Sequence, residues 1–167
     1  FTTAKTMLNA AALVTLPPNF LYAGKMLRIS ALLGISNIIA AQPTFTFQVM
    51  VGAVVAWSSG AILTTTTAHT LFPAELVLTL RVASVGAGTS GTLIGNGHLR
   101  GGGWVGSGAT GDIAATHPSF MVPFTAPAAG TGYNSTVENV LDFWAGISVS
   151  DALNGVQVFN YIVEDLN

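Results

Sequence analysis

From Lys25 onward, apolar and polar residues alternate with period two, and this pattern constrains the fold more than any other feature of the chain. Leu27, Ile29, Ala31 and Leu33 share one parity, while Arg28 and Ser30 take the other. Phe45, Phe47, Val49 and Val51 oppose Thr44, Thr46 and Gln48 in the same way, and Leu76, Leu78, Leu80 and Val82 oppose Thr79 and Arg81. Near the C-terminus Leu141, Phe143, Ala145, Ile147 and Val149 alternate with Asp142, Trp144, Gly146 and Ser148. Successive side chains of a strand point to opposite faces, so each run reads as a strand with one buried face.

Turn signals separate these runs: Pro17-Pro18, Gly34, Pro43, Ser58-Ser59-Gly60, Pro73, Gly86 to Gly91, Gly101 to Gly103, Pro118 and Gly130 to Gly132. Nineteen glycines and seven prolines leave little room for helices. The spacing predicts an all-β fold of about eight to ten antiparallel strands, a jelly-roll β-sandwich closed over one core. A length of 167 residues fits a single domain, here residues 21–167, with residues 1–20 as an N-terminal arm or first strand. The last two strands, Val140 to Ser150 and Val156 to Glu164, are expected to form a hairpin across Asp151 to Gly155, with Asn154-Gly155 supplying the turn.

The final strand is apolar on both faces. Strict alternation puts Val156, Val158 and Ile162 on one side and Phe159, Tyr161 and Val163 on the other. A strand apolar on both faces is buried on both, and in a two-layer sandwich the second cover has to come from outside the domain. Phe159, Tyr161 and Val163, with Trp144 from the neighbouring strand, are therefore the candidate subunit interface.

The charge count points the same way. The chain has five Lys and Arg and seven Asp and Glu, only 7% charged residues, where an average domain carries about 25%. A folded monomer of this mass exposes on the order of 7,800 Å², or roughly one charge per 650 Å². Such a surface should associate. Disorder is excluded by 50% hydrophobic residues and a net charge of -2. Nucleic-acid binding is not expected, because Lys5, Lys25, Arg28, Arg81 and Arg100 form no basic run. The 46 residues between Arg28 and Glu75 carry no charge, yet Ser, Asn, Gln, Pro and Thr interrupt them before about 18 apolar residues accumulate, so no membrane-spanning helix is expected. There are no cysteines, which removes disulfides, thiol nucleophiles and Cys-ligated metals. Lys5 followed by Met7 to Leu16 has the outline of a signal-peptide core, but Pro17-Pro18-Asn19-Phe20 stands where a small-residue cleavage site belongs.

Motifs that would carry chemistry are weak. Gly-x-Gly-x-x-Gly occurs at Gly86, Gly88, Gly91 and at Gly106, Gly108, Gly111, but neither opens an amphipathic helix as dinucleotide binding requires. His69, His98 and His117 lack the spacing of a local metal pair; only a three-fold axis would gather one from each of three chains. Asp142 and Glu164 face each other in the expected hairpin, but two carboxylates at strand edges are more simply solvated ends than an acid/base pair. There is no Gly-x-Ser-x-Gly elbow, and Asn134-Ser135-Thr136 reads as a turn as well as a glycosylation sequon. No enzyme, cofactor or metal site is expected. Lys25 and Arg28 are candidate docking residues for an acidic partner or, equally, edge-strand protection. Trp104, the large anchor of the glycine-rich segment Gly101 to Gly111, is a candidate ligand-loop residue.

Three segments, Phe20 to Ser36, Glu75 to Leu99 and Gly132 to Asn167, together resemble a family of tailed-bacteriophage virion proteins. The most specific parts are Gly24-Lys25-x-Leu27-Arg28-Ile29 and Ser148-Val149-Ser150-Asp151-Ala152 with Tyr161 and Glu164-x-Leu166-Asn167. The resemblance implies a jelly roll that trimerises much as tumour necrosis factor does. It also implies a place on the virion's capsid exterior as a decoration or fibre protein, with the major capsid protein or other virion proteins as partners and no catalytic motif. The alternative is a tail-appendage or fibre domain that binds a host-surface glycan through the Trp104 loop.

Overall fold

A computed structural model describes residues 1–38, 42–101, 103–107 and 119–167. Among them are thirteen strands: β1 (Lys5–Thr6), β2 (Val14–Leu16), β3 (Met26–Asn37), β4 (Thr44–Val51), β5 (Val54–Ser58), β6 (Ile62–Thr64), β7 (His69–Ser84), β8 (Gly91–Gly101), β9 (Trp104–Ser107), β10 (Ser119–Val122), β11 (Gly130–Tyr133), β12 (Asn139–Ile147) and β13 (Gly155–Asp165). The four runs of strict alternation become β3, β4, β7 and β12, and the surplus over the expected count comes from short strands such as β1, β2 and β6. The 3-10 turn Ala10–Ala12 is capped by the Asn9 side chain, which accepts from the Ala12 N–H. No helix among the described residues is long and apolar enough to cross a membrane.

The strands form two antiparallel sheets packed face to face, a β-sandwich. The first runs β1-β12-β4-β6-β9, with β2 also on β12 and β5 also on β4; the second runs β10-β8-β7-β3-β13, with β11 also on β8. Within the second sheet, β3, β7, β8 and β13 lie in the spatial order 4-1-2-3 of a Greek key. The inner parity of each long strand is fully buried: Ile29, Leu33, Leu76 and Leu80 from one sheet meet Phe45, Phe47 and Phe143 from the other. Gly95 of β8 belongs to this interior because a side chain there would run into Leu80 and Trp57.

Three local expectations are corrected. The last two strands do not form a hairpin: β12 pairs with β4 from Leu141↔Val51 to Ile147↔Phe45, whereas β13 pairs with β3 from Gly155↔Ser36 to Asp165↔Leu27. They face each other across the core, with Tyr161 of β13 packed 5.9 Å from the Phe143 ring. Asn154 is buried in the crossing between sheets, accepting from the Ile38 N–H and donating to the Val149 carbonyl. Gly34 and Pro73 are strand residues paired with each other rather than turns. Gly34 is needed there because the Phe159 ring and Leu71 lie over it; a Cβ would come within 2.7 Å of Phe159.

Candidate functional site

Lys25 is a structural residue rather than a docking residue. It is 4% exposed, lies over the rings of Phe20 and Tyr22 at 4.5 and 5.0 Å, pairs with Asp165 and donates to the Asn167 carbonyl at 2.7 Å. A buried ammonium needs such partners, and the result is a clamp that fastens the C-terminus beside β3. The hydrogen bond from Lys25 holds the Asp165 carboxyl below its usual range. Arg28 is exposed on β3 and lies 3.7 Å from Glu164, its register partner on β13.

The four candidate interface residues divide among three positions. The register of β13 against β3 shifts between Val158 and Asn160, so Phe159 sits in a β-bulge. One added residue reverses the parity beyond it. Phe159 stays outside at 49% exposure and Ile162 joins it at 46%, while Tyr161 and Val163 turn inward against the core. Trp144 lies on the outer face of the other sheet, where its Nε1 donates to Asp142 at 2.6 Å. Phe159 and Trp144 therefore belong to different faces of the sandwich.

The outer face of the second sheet gathers residues that the alternation alone did not single out. Leu32 of β3 and Leu71 of β7 are 44% and 46% exposed, and both flank the Gly34 and Phe159 contact or its neighbouring register pair. Leu32 carries a readable signal, an apolar residue in the polar parity after Arg28 and Ser30. Leu71 has none, because its position depends on Pro73 lying within a strand. A row of directly opposed residues crosses five of the six strands: Ile162, Ser30, Val77, His98 and Met121. One adjacent row holds the ion pair Arg28–Glu164 at 3.7 Å, the other holds Arg100–Glu75 at 3.9 Å.

Trp104 is corrected from loop anchor to core residue. It is 1% exposed and meets Phe45 and Phe47 edge-on, with centroids 5.8 and 6.1 Å apart. The first glycine motif is the turn between β7 and β8, and Gly91 opens a strand rather than a helix. Most of the second motif, together with Asp112 and His117, lies outside the described residues. Asp142 and Glu164 sit on different sheets. Asn134 caps its own turn, accepting from Thr136 N–H and Oγ1 at 3.0 and 2.7 Å.

No protein-family model matches the chain, and no curated protein matches it. Among solved structures, the chain is similar to the CBM2 module of the evolved Dit of Lactobacillus casei BL23 phage J-1. The identity is 13% and the TM-score 0.29, over 83% of this chain and 70% of that one.

The cleft at one end of the sandwich, about 320 Å³, is bounded by Asn37, His69 and the Ala152 to Gly155 crossing. Its titratable residue is His69, whose pKa burial lowers and whose Nε2 lies 3.1 Å from the Thr65 hydroxyl. Among the described residues no carboxylate lines the cleft, whose Asn37, His69 and Asn154 offer hydrogen bonding. Among the described residues no three of His, Asp and Glu gather to hold a metal.

Proposed function

We propose that this chain is a non-enzymatic structural protein of a bacteriophage virion, a homotrimer seated on the capsid exterior, where it contacts the major capsid protein or other virion proteins. The observation that carries the reading is the poverty of charge at the surface. The chain exposes 7806 Å² and has 12 charged residues, of which six are joined in the pairs Lys25–Asp165, Arg28–Glu164 and Arg100–Glu75. A surface with so little free charge is suited to burial in a symmetric assembly. The resemblance to virion proteins adds support, because its three segments include most of β3, β7 and β8 and all of β13, four adjacent strands of one sheet, together with β12 of the other.

The tail-appendage reading no longer has Trp104 to support it, since that ring is core. The test is the protein's position in intact particles, by gold-labelled antibody or a reconstruction of the whole virion. Clusters of three on the head exterior are expected. Location on the tail tip would favour the appendage reading, and absence from purified particles would overturn both.

A further inference from the structure

We infer that the outer face of the second sheet, centred on the row Ile162, Ser30, Val77, His98 and Met121, is the surface on which a second copy of this chain docks. This rests on the homo-oligomeric reading above and names the face that serves it.

The asymmetry between the two sheets makes the choice. Among the described residues, strands of the second sheet contribute six exposed large apolar side chains, Leu32, Leu71, Ile94, Met121, Phe159 and Ile162, whereas strands of the first contribute one, Val55. Singly scattered apolar residues need no explanation, but a contiguous patch marks an interaction site. Register makes four of the six neighbours on the β13 side of the sheet, and Met121 lies at the same level on the far strand β10. Ile162 opposes Ser30 beside Leu32, and Phe159 and Leu71 both reach over Gly34.

Charge identifies the occupant. The central row contains no Asp, Glu, Lys or Arg, and the rows beside it each hold one acidic and one basic residue already joined across strands. A strongly charged partner would find only Arg81, opposite Ile94 at the margin of the face, left to pair with, while a neighbouring copy, itself poor in charge, brings little that needs a counter-charge. Area agrees as well. Five strands spaced about 4.8 Å apart, presented over about 30 Å of their length, give a face on the order of 700 Å². That is close to the roughly 800 Å² each partner contributes to a stable interface. The edge strand β13 adds to this. It runs 11 residues along the border of the sheet, and long edges are sites where another chain adds unless something covers them.

The test is light scattering on the wild type, on an Ile162→Glu/Met121→Glu variant and on Val55→Glu, with circular dichroism on each to confirm folding. All three side chains point outward, so the core is untouched. The wild type is expected to be trimeric at micromolar concentration. The double variant should be a folded 17 kDa monomer, with at least a 100-fold rise in the concentration for half-dissociation, and Val55→Glu should assemble as the wild type does. If the double variant misfolds, the single Met121→Glu variant is read instead, with at least a tenfold rise expected. A wild-type trimer that neither variant weakens overturns the face alone; a monomeric wild type overturns the oligomeric reading and the face with it. A wild-type dimer broken by the same substitutions keeps the face and overturns the three-fold arrangement.

Discussion

Lys25 shows how one residue type can be read two ways until its surroundings are known. An exposed lysine at a strand end protects an edge or greets a partner, but this one is enclosed by two aromatic rings, a carboxylate and a backbone carbonyl. Replacing it with Met keeps the apolar stem and removes the charge, so the loss is the hydrogen bonds and the cation–π contacts, about 1–3 kcal/mol. A thermal midpoint lower by roughly 5 °C is expected for Lys25→Met. Asp165 supplies a pH signature. Its carboxyl titrates below the ordinary 3.8 because Lys25 donates to the charged form. Its contribution is therefore complete above that pH and disappears as the pH falls through the lowered value. Asp165→Asn should flatten the acid limb of midpoint against pH below 3.8 and leave the neutral region's slope unchanged. Trp104 gives a sharper case. Trp104→Ala should cost about 3–5 kcal/mol, as for other large core aromatics, whereas an exposed loop anchor would tolerate the change with the melting curve unmoved. Nothing local could have separated the two: Trp104 follows three glycines, and only the placement of β9 beside β6 brings it onto Phe45 and Phe47.

At the scale of the strand, period-two alternation was legible wherever one face is buried and the backbone is regular, which is why β3, β4, β7 and β12 emerge from the sequence with their inner faces correct. It fails in β13 for a specific reason. Counting by twos from Val156 carries Phe159, Tyr161 and Val163 together, but the bulge at Phe159 shifts the count by one. Polar residues record the shift: Asn160 and Glu164 share the parity of Ile162, so the segment after the bulge has an outer face of Asn160, Ile162 and Glu164. The failure of the expected hairpin has another cause. Pairing partners depend on which inner faces must meet, and Tyr161 on Phe143 is a contact across the sandwich that spacing alone does not encode. The bulge itself can be tested by deletion. Removing Phe159 leaves Val158 inside, Asn160 outside and Tyr161 inside, an unbroken alternation, so the thermal midpoint should move by less than about 4 °C. Removing Tyr161 instead forces either Glu164 or Asn160 onto the core face, and the midpoint should fall by roughly 10 °C or more. Equal destabilisation by the two deletions would mean that the extra residue is not at Phe159.

For the molecule as a whole, the low charge and the sandwich are two sides of one requirement. A sandwich has two outer faces, and in an isolated domain both must be wetted. The first sheet meets that demand mostly with neutral polar groups, presenting Thr44, Thr46 and Gln48 beside Trp144, whose indole is held by Asp142. The second does not, since its outward positions alternate ion pairs with exposed Leu, Ile, Met and Phe. Burying such a face releases water from apolar surface and brings few unpaired charges together, so the driving force is hydrophobic rather than coulombic. Ionic strength separates the two. Raising NaCl from about 0.05 to 1 M shortens the screening length from above 10 Å to about 3 Å and should change the half-dissociation concentration by less than about threefold. Sodium sulfate, which strengthens apolar burial, should lower it. An assembly held by charged contacts, such as Arg81 reaching a neighbour's carboxylate, would instead weaken tenfold or more across the same NaCl range and respond to Arg81→Gln. Sedimentation velocity over a concentration series in each salt distinguishes these responses, because both lead to the same mass at low salt and diverge only as screening increases.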